Sequence, residues 1–112
     1  SALMGDHLLK KLACLKELKS VGDVRGLGLL AGVEFVENKE SKKPFPRNKH
    51  FAERTVQSAL RNGLNIYFSV GFADGENGDA VLLAPPFIVT KKEIDEIVLR
   101  LKKTILETEK SI

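Results

Sequence analysis

Between Leu27 and Val36 the chain is almost wholly apolar, with glycines at 28 and 32 and Glu34 as the one charge that interrupts it. Such a run predicts a strand covered on both sides, or one closely approached by another backbone. It is much too short to cross a bilayer, and no other apolar run approaches that length. The rest of the chain must therefore supply the cover.

Helical periodicity supplies it. Leu8, Leu12 and Leu15, widened by Leu9 and Leu18, form one stripe of a helix over about Met4 to Lys19, with lysines and Glu17 opposite. Nothing upstream caps this helix, as expected of a piece cut from a longer chain. Ser20 to Gly26 reads as a connection, with Gly22 and Asp23 as turn residues. Glu37 to Asn48, with Pro44 and Pro46, reads as an exposed loop. A second helix is expected over about Lys49 to Asn62, with Ala52, Val56, Ala59 and Leu60 inward and Gly63 as its C-cap. Leu64 to Phe68 then predicts a short strand, Val70 to Asp79 a turn-rich hairpin connection, and Ala80 to Ala84 a strand ended by Pro85-Pro86. Thr90 and Glu93 have capping-box spacing, and Ile94, Ile97, Val98, Leu101 and Ile105 follow one helical face after them. The order helix, strand, helix, strand, strand, helix predicts an α+β fold: a single domain over residues 1–112, with a small antiparallel sheet of about three strands packed against helices.

At 112 residues the chain suits one domain, not two. Cys14 is the single cysteine, so no internal disulfide can form; it reads as a small, partly buried filler in the first helix. The N-terminus shows no signal-peptide pattern, and a cytoplasmic location is expected. The net charge of +3 comes from scattered lysines with acidic residues between them and no interleaved aromatics. Solvated helix faces explain it, and neither a nucleic acid nor a membrane is expected as partner.

Several motifs are weaker than they look. Gly26-Leu27-Gly28-Leu29-Leu30-Ala31 fits a dinucleotide fingerprint, but that motif needs a strand before it and a helix N-terminus after it. The stretch Asp74 to Asp79 has the wrong phase for a calcium loop and lacks a distal glutamate, so a solvated turn is favoured. His7 and His50 each stand alone, and Asp95-Glu96 and Glu107-Glu109 suit salt-bridged helix faces. No catalytic, cofactor-binding or metal-ligating constellation is legible. Arg25, between apolar residues and ahead of the glycines, is harder to dismiss: a structural pairing with a carboxylate is favoured over contact with an anionic substrate.

Two segments, taken together, say more. Val24-Arg25-Gly26-Leu27-Gly28-Leu29-Leu30-Ala31-Gly32-Val33-Glu34-Phe35 resembles the V-R-G-x-G-L-x-x-G-h-E-h strand motif of class III, ornithine-aminotransferase-like aminotransferases, where h is apolar. The stretch from Gly78-Asp79 through Ala84-Pro85-Pro86 to Thr90, Glu93 and Asp95 resembles their G-D-h-h-x-x-A-P-P-h-h-h-T-x-x-E-h-D motif. Gly63-Leu64 matches the G-L that precedes the middle strand, and the resemblance covers nearly the whole chain in order.

This resemblance implies the small C-terminal domain of a larger pyridoxal-phosphate enzyme that moves an amino group from an amine or (ω-)amino acid to a keto acid. The Schiff-base lysine and most cofactor contacts belong to the family's large domain. The piece alone is thus expected to bind no pyridoxal phosphate and to be inactive. Its implied partners are the large domain of the same chain and, in the full enzyme, a second subunit of a homodimer; self-association of the piece is also expected. In ornithine-aminotransferase-like members a carboxylate-binding arginine stands where this chain has Leu82, and in some ω-amine transaminases a mobile arginine stands near Tyr67. Arg25, Tyr67, Phe68 and Leu82 are the expected substrate-wall residues. The alternative is a self-contained, non-catalytic α+β interaction or ligand-sensing domain. A dinucleotide-binding fragment would require a helix directly after Ala31.

Overall fold

The computed structural model describes residues 2–27, 30–71, 78–85 and 89–112. The chain runs α1 (Ala2–Ala13), a 3-10 turn (Cys14–Glu17), β1 (Val21–Leu27), β2 (Leu30–Phe35), a second 3-10 turn (Arg47–Lys49), α2 (Phe51–Arg61), β3 (Tyr67–Val70), β4 (Asp79–Leu83) and α3 (Lys91–Ser111). The strands form one antiparallel sheet in the order β1-β2-β4-β3. The fold is α+β as expected, with four strands instead of about three.

The additional strand is β1. The stretch expected to be a connection pairs with β2, with Val24 opposite Val33, Arg25 opposite Gly32 and Leu27 opposite Leu30. The apolar run therefore does not make one strand: it ends β1 and continues as β2, and residues 28 and 29 lie outside the described residues. A register shift between Val21 and Asp23 hides this strand from a pattern reading. Gly22 sits in that bulge, where a Cβ would come 2.7 Å from Val36 Cγ1, so only glycine fits without displacing Val36. Because Ala31 lies inside β2, which runs on to Phe35, the dinucleotide reading falls: a strand, and not a helix N-terminus, follows the glycines.

Alternation along β2 separates two faces. Ala31, Val33 and Phe35 are buried, while Leu30, Gly32 and Glu34 are not. α1 packs on β1 and β2, α2 on β3 and β4, and α3 against both α1 and α2. Leu8, Leu12, Val33, Phe35, Phe51, Val81, Ile94, Leu101 and Ile105 belong to one core cluster. Each phenylalanine fully buried there contributes roughly 1.5–3 kcal/mol. Phe51 stacks on Phe45 at 4.3 Å and meets Phe35 at 4.8 Å. The loop expected to be exposed thus inserts Phe45 into the core, although its residues from Glu37 through Lys43 are exposed.

The helix ends follow their sequence signals. Thr90 Oγ1 accepts from the Glu93 N–H, and Glu93 Oε1 accepts from the Thr90 N–H, completing the capping box of α3. Gly63, at φ +80°, closes α2 as its Gly63 N–H donates to Leu60 and the Leu64 N–H to Ala59. The Leu64 amide is thereby tied to the helix end, and the next strand starts at Tyr67, later than expected. The inner face of α2 also differs from expectation. Phe51, Ala52, Thr55, Ser58 and Ala59 are buried and Leu60 is 59% exposed, because Thr55 and Ser58 turn inward to hydrogen-bond Phe51 and Thr108, and Glu107. Cys14 is exposed rather than partly buried, since it falls in the 3-10 turn where the phase of the α1 stripe changes.

Candidate functional site

Strand register builds a single row across the sheet. Arg25 faces Gly32, Gly32 faces Leu82, and Leu82 faces Tyr67, all on the side away from the helices. Three of the four residues singled out from the sequence therefore stand together. Phe68 does not join them: it lies in the adjacent row with Val81, Val33 and Val24, on the helix side, and stays 47% exposed because β3 is an edge. Leu82 leans over Gly32, its Cδ2 lying 3.4 Å from where a Cβ would be. A groove of about 450 Å³ lies over Arg25, Gly32 and Leu82 of this row and over Leu30, Glu34, Ser69 and Ala80 beside it; Tyr67 is not among its lining residues.

Arg25 closes one end of the groove, and its charge is already matched. Its Nε donates to Asp23 Oδ2 at 2.9 Å and its Nη2 meets Glu34 Oε1 at 2.7 Å. The structural pairing favoured from sequence is present, but with partly exposed carboxylates and an Arg25 side chain that is itself 71% exposed. The hydrogen bond from Arg25 holds the Asp23 carboxyl below its ordinary range, and Asp23 in turn raises the guanidinium.

A second charged cluster escaped the sequence reading. α2 begins after His50, which sits at φ 51° and offers no capping side chain. The cap comes from β4: Asp79 Oδ2 accepts from the Ala52 N–H at 2.7 Å and from Arg47 Nη1 at 3.2 Å, while Arg47 Nη2 donates to Glu53. The Asp79 side chain is fully buried, so the solvated-turn reading fails at that residue; 74–77 lie outside the described residues. Among the described residues, Asp79 Oδ1 has no hydrogen-bond partner. Burial raises the Asp79 carboxyl above its ordinary value, against the lowering pull of the Ala52 amide and Arg47. Glu53, where burial also works upward, is nevertheless lowered by Arg47 and His50. The only sequence trace of this cluster is the Gly78-Asp79 pair of the motif; its partners lie 27 and 32 positions away.

The lone histidines and helix carboxylates find partners, most of them distant in sequence. His7 Nε2 lies 2.8 Å from Asp95 Oδ1, and Glu96 pairs with Arg100. Glu107 and Glu109, expected to pair with lysines, instead accept hydrogen bonds from Ser58 and Asn62 and from Ser20. Among the described residues, no group of His, Cys, Asp and Glu side chains is placed to hold a metal ion, and no helix is long and apolar enough to cross a membrane.

The family model for class-III aminotransferases matches residues 1–105. The chain belongs to the class-III aminotransferase family. It is 39% identical over 109 residues to an uncharacterized aminotransferase of Schizosaccharomyces pombe, a match covering 96% of this chain and 24% of that protein. It is 37% identical over 100 residues to the adenosylmethionine-8-amino-7-oxononanoate aminotransferase of Methanocaldococcus jannaschii, covering 89% of this chain and 20% of that protein. A solved transaminase from the marine bacterium Virgibacillus superposes with a TM-score of 0.92 at 32% identity, over 99% of this chain and 24% of its own. The chain thus spans about a quarter or less of the length of these relatives.

Members of this family work with pyridoxal phosphate, and the groove's donor set does not fit that group. Among the described residues that line it there is no lysine to meet an aldehyde, and the Arg25 guanidinium is held by two carboxylates that would oppose a phosphate.

Proposed function

We propose that this chain is the C-terminal small domain of a pyridoxal-phosphate transaminase, inactive alone, and that its open sheet face forms one wall of the substrate site. The cofactor, held elsewhere in the polypeptide, supplies the electron sink; this domain supplies shape and polarity. One observation carries the reading. Leu82 and Tyr67, the two positions at which the family resemblance leads to an expected carboxylate-binding arginine, are register partners on one face. With leucine and a phenol there, the wall offers no free guanidinium, which suits a primary amine or ω-amino donor better than an α-amino carboxylate. We place the parent enzyme in the cytoplasm as a homodimer, on the strength of the resemblance.

The test is a hybrid in which residues 2–112 replace the matching segment of the Methanocaldococcus relative. Leu82→Arg should raise kcat/KM for an α-amino carboxylate donor over an amine by roughly tenfold, the ratio that one charge-assisted hydrogen bond of about 1.5 kcal/mol implies. An unchanged donor ratio removes Leu82 from the wall. The free chain should stay colourless with added pyridoxal phosphate; a stoichiometric Schiff base on it would contradict the assignment.

A further inference from the structure

We infer that the free edge of β3 is a self-pairing surface: two copies of this chain join there, antiparallel about Ser69, into one continuous sheet. The inference stands on strand register and helix placement and does not depend on the proposed function.

The strand order leaves β1 and β3 as the edges of the sheet, and they are built differently. β1 carries a bulge, Asp23 and Arg25, each of which discourages a further strand. β3 reads Tyr67-Phe68-Ser69-Val70, with neither charge nor proline. Its phase is fixed at the hairpin mouth, where the Gly71 N–H donates to the Gly78 carbonyl directly across from it. Antiparallel ladders alternate. Tyr67 and Ser69 therefore turn their backbone groups towards β4, opposite Leu82 and Ala80, whereas Phe68 and Val70 turn theirs outward. No strand among the described residues meets them there. An exposed, uncharged edge of this kind is a template for another strand.

The outward groups select the register. In a two-fold pair centred on Ser69, Phe68 of each copy lies opposite Val70 of the other and exchanges both N–H···O bonds with it. Ser69 then faces its own symmetry mate in the close, non-hydrogen-bonded kind of pair. A pair centred on Phe68 or Val70 keeps the phase but draws residues outside β3 into the bonding positions. An aromatic ring across from a β-branched side chain is a favourable combination, and both are partly exposed in the free chain, Phe68 at 47% and Val70 at 38%. No like charges meet along the strand, because β3 has none.

α2 gives the same axis a second layer. It packs on both β3 and β4. Strands lie about 4.8 Å apart, so an α2 axis midway over β3 and β4 comes about 10 Å from its symmetry mate, close to the roughly 8–10 Å of packed helices. Thr55 and Ser58 face α3, which leaves Glu53, Val56 and Leu60 on the opposite flank, towards the β3 edge. Leu60, more than half exposed in the single chain, is covered there, and Glu53 is already matched by Arg47. Leu99 and Leu106 on α3 are also exposed, but no open backbone lies beside them. The contact is small beside the roughly 1,200–2,000 Å² of a standard interface, so a weak, reversible dimer is the form expected.

Sedimentation velocity on this chain, from micromolar to millimolar concentration, should show monomer passing to dimer. Phe68→Lys should raise the dissociation constant roughly tenfold or more by placing a charge on the edge. Leu60→Lys, which leaves the strand intact, should raise it several-fold, and Leu99→Lys should leave it unchanged. Cross-linking reads the register. In a Cys14→Ser background, Ser69→Cys brings two sulfurs together at a Cα separation of about 4.5 Å, inside the range a disulfide spans. Tyr67→Cys lies about 13 Å from its own mate. Oxidation should therefore trap the Ser69→Cys dimer roughly tenfold faster than the Tyr67→Cys one. A strict monomer throughout the range overturns the inference. So does a dimer that Phe68→Lys and Leu60→Lys leave intact, or one in which the two cysteines cross-link at equal rates.

Discussion

Two arginines in this chain each sit between two carboxylates, and burial separates what the two clusters do. Arg25 joins Asp23 and Glu34 across neighbouring strands on the open face, with its own side chain 71% exposed. Arg47 joins Glu53 and Asp79 at the start of α2, where Asp79 has no exposed surface. Water competes for every contact in the first cluster, so its ions are exchangeable and screened. In the second, Asp79 has surrendered its hydration and depends on the Ala52 amide and Arg47 for replacement. The same residue types thus make a polar margin in one place and a structural tie in the other. The tie connects the 47–53 segment to the mouth of the β3–β4 hairpin, where the Gly71 N–H donates to Gly78.

The largest expected effect comes from cutting that tie. Asp79→Ala strands the Ala52 N–H at the helix start, removes a partner of Arg47 and opens a void beside the core. A loss of about 2–4 kcal/mol is expected, as for other buried hydrogen-bonded charges. The urea midpoint should fall with the slope of the transition unchanged. Asp79→Asn keeps an acceptor for Ala52 and should cost clearly less, about 1 kcal/mol. If the two variants are equal, the cap is not what Asp79 contributes.

Legibility in the sequence followed the range of the interactions. The capping box at Thr90 and Glu93, the Gly63 stop of α2 and the strand break near Pro85 are local, and each reads directly from spacing. The row that brings Arg25, Leu82 and Tyr67 together was accessible only through the family motifs, because register joins residues that no periodicity connects. β1 was hidden by its own edge chemistry: a bulge glycine, an aspartate and an arginine look like a turn to any local reading. The inward face of α2 is not legible from hydrophobicity, because hydrogen bonds to Phe51, Thr108 and Glu107 hold Thr55 and Ser58 inside. The Arg47–Glu53–Asp79 cluster depends on a tertiary contact between two segments, and its one conspicuous residue sat in what looked like a solvated turn.

Acid should separate the two clusters by sign. Asp79 is raised in the fold above its unfolded value of about 3.9, so the folded state binds its proton more readily. Relative to Asp79→Asn, the wild type should therefore gain stability as pH falls from neutral through the raised folded pKa. The gain should be complete below the unfolded value. Asp23 is lowered in the fold, so its contribution is present above the unfolded value and disappears as pH falls through the folded one. Urea midpoints of wild type, Asp79→Asn and Asp23→Asn across the acid range should show the two differences moving in opposite directions. Parallel curves would mean that burial does not distinguish the clusters.

Arg25→Met is expected to do least. The substitution keeps an aliphatic stem beside Gly32 and releases Asp23 and Glu34 to water, which already reaches them. The urea midpoint should stay within the scatter of replicate curves. The local consequence should still be visible: with its guanidinium partner gone, the Asp23 carboxyl should titrate closer to the ordinary aspartate value, which carboxyl-detected NMR reads directly. A destabilisation comparable to that of Asp79→Ala would show that the open-face arginine is a structural tie like Arg47. The exposed cluster would then have to be counted as part of the fold's framework and not as a solvated pairing on the open face.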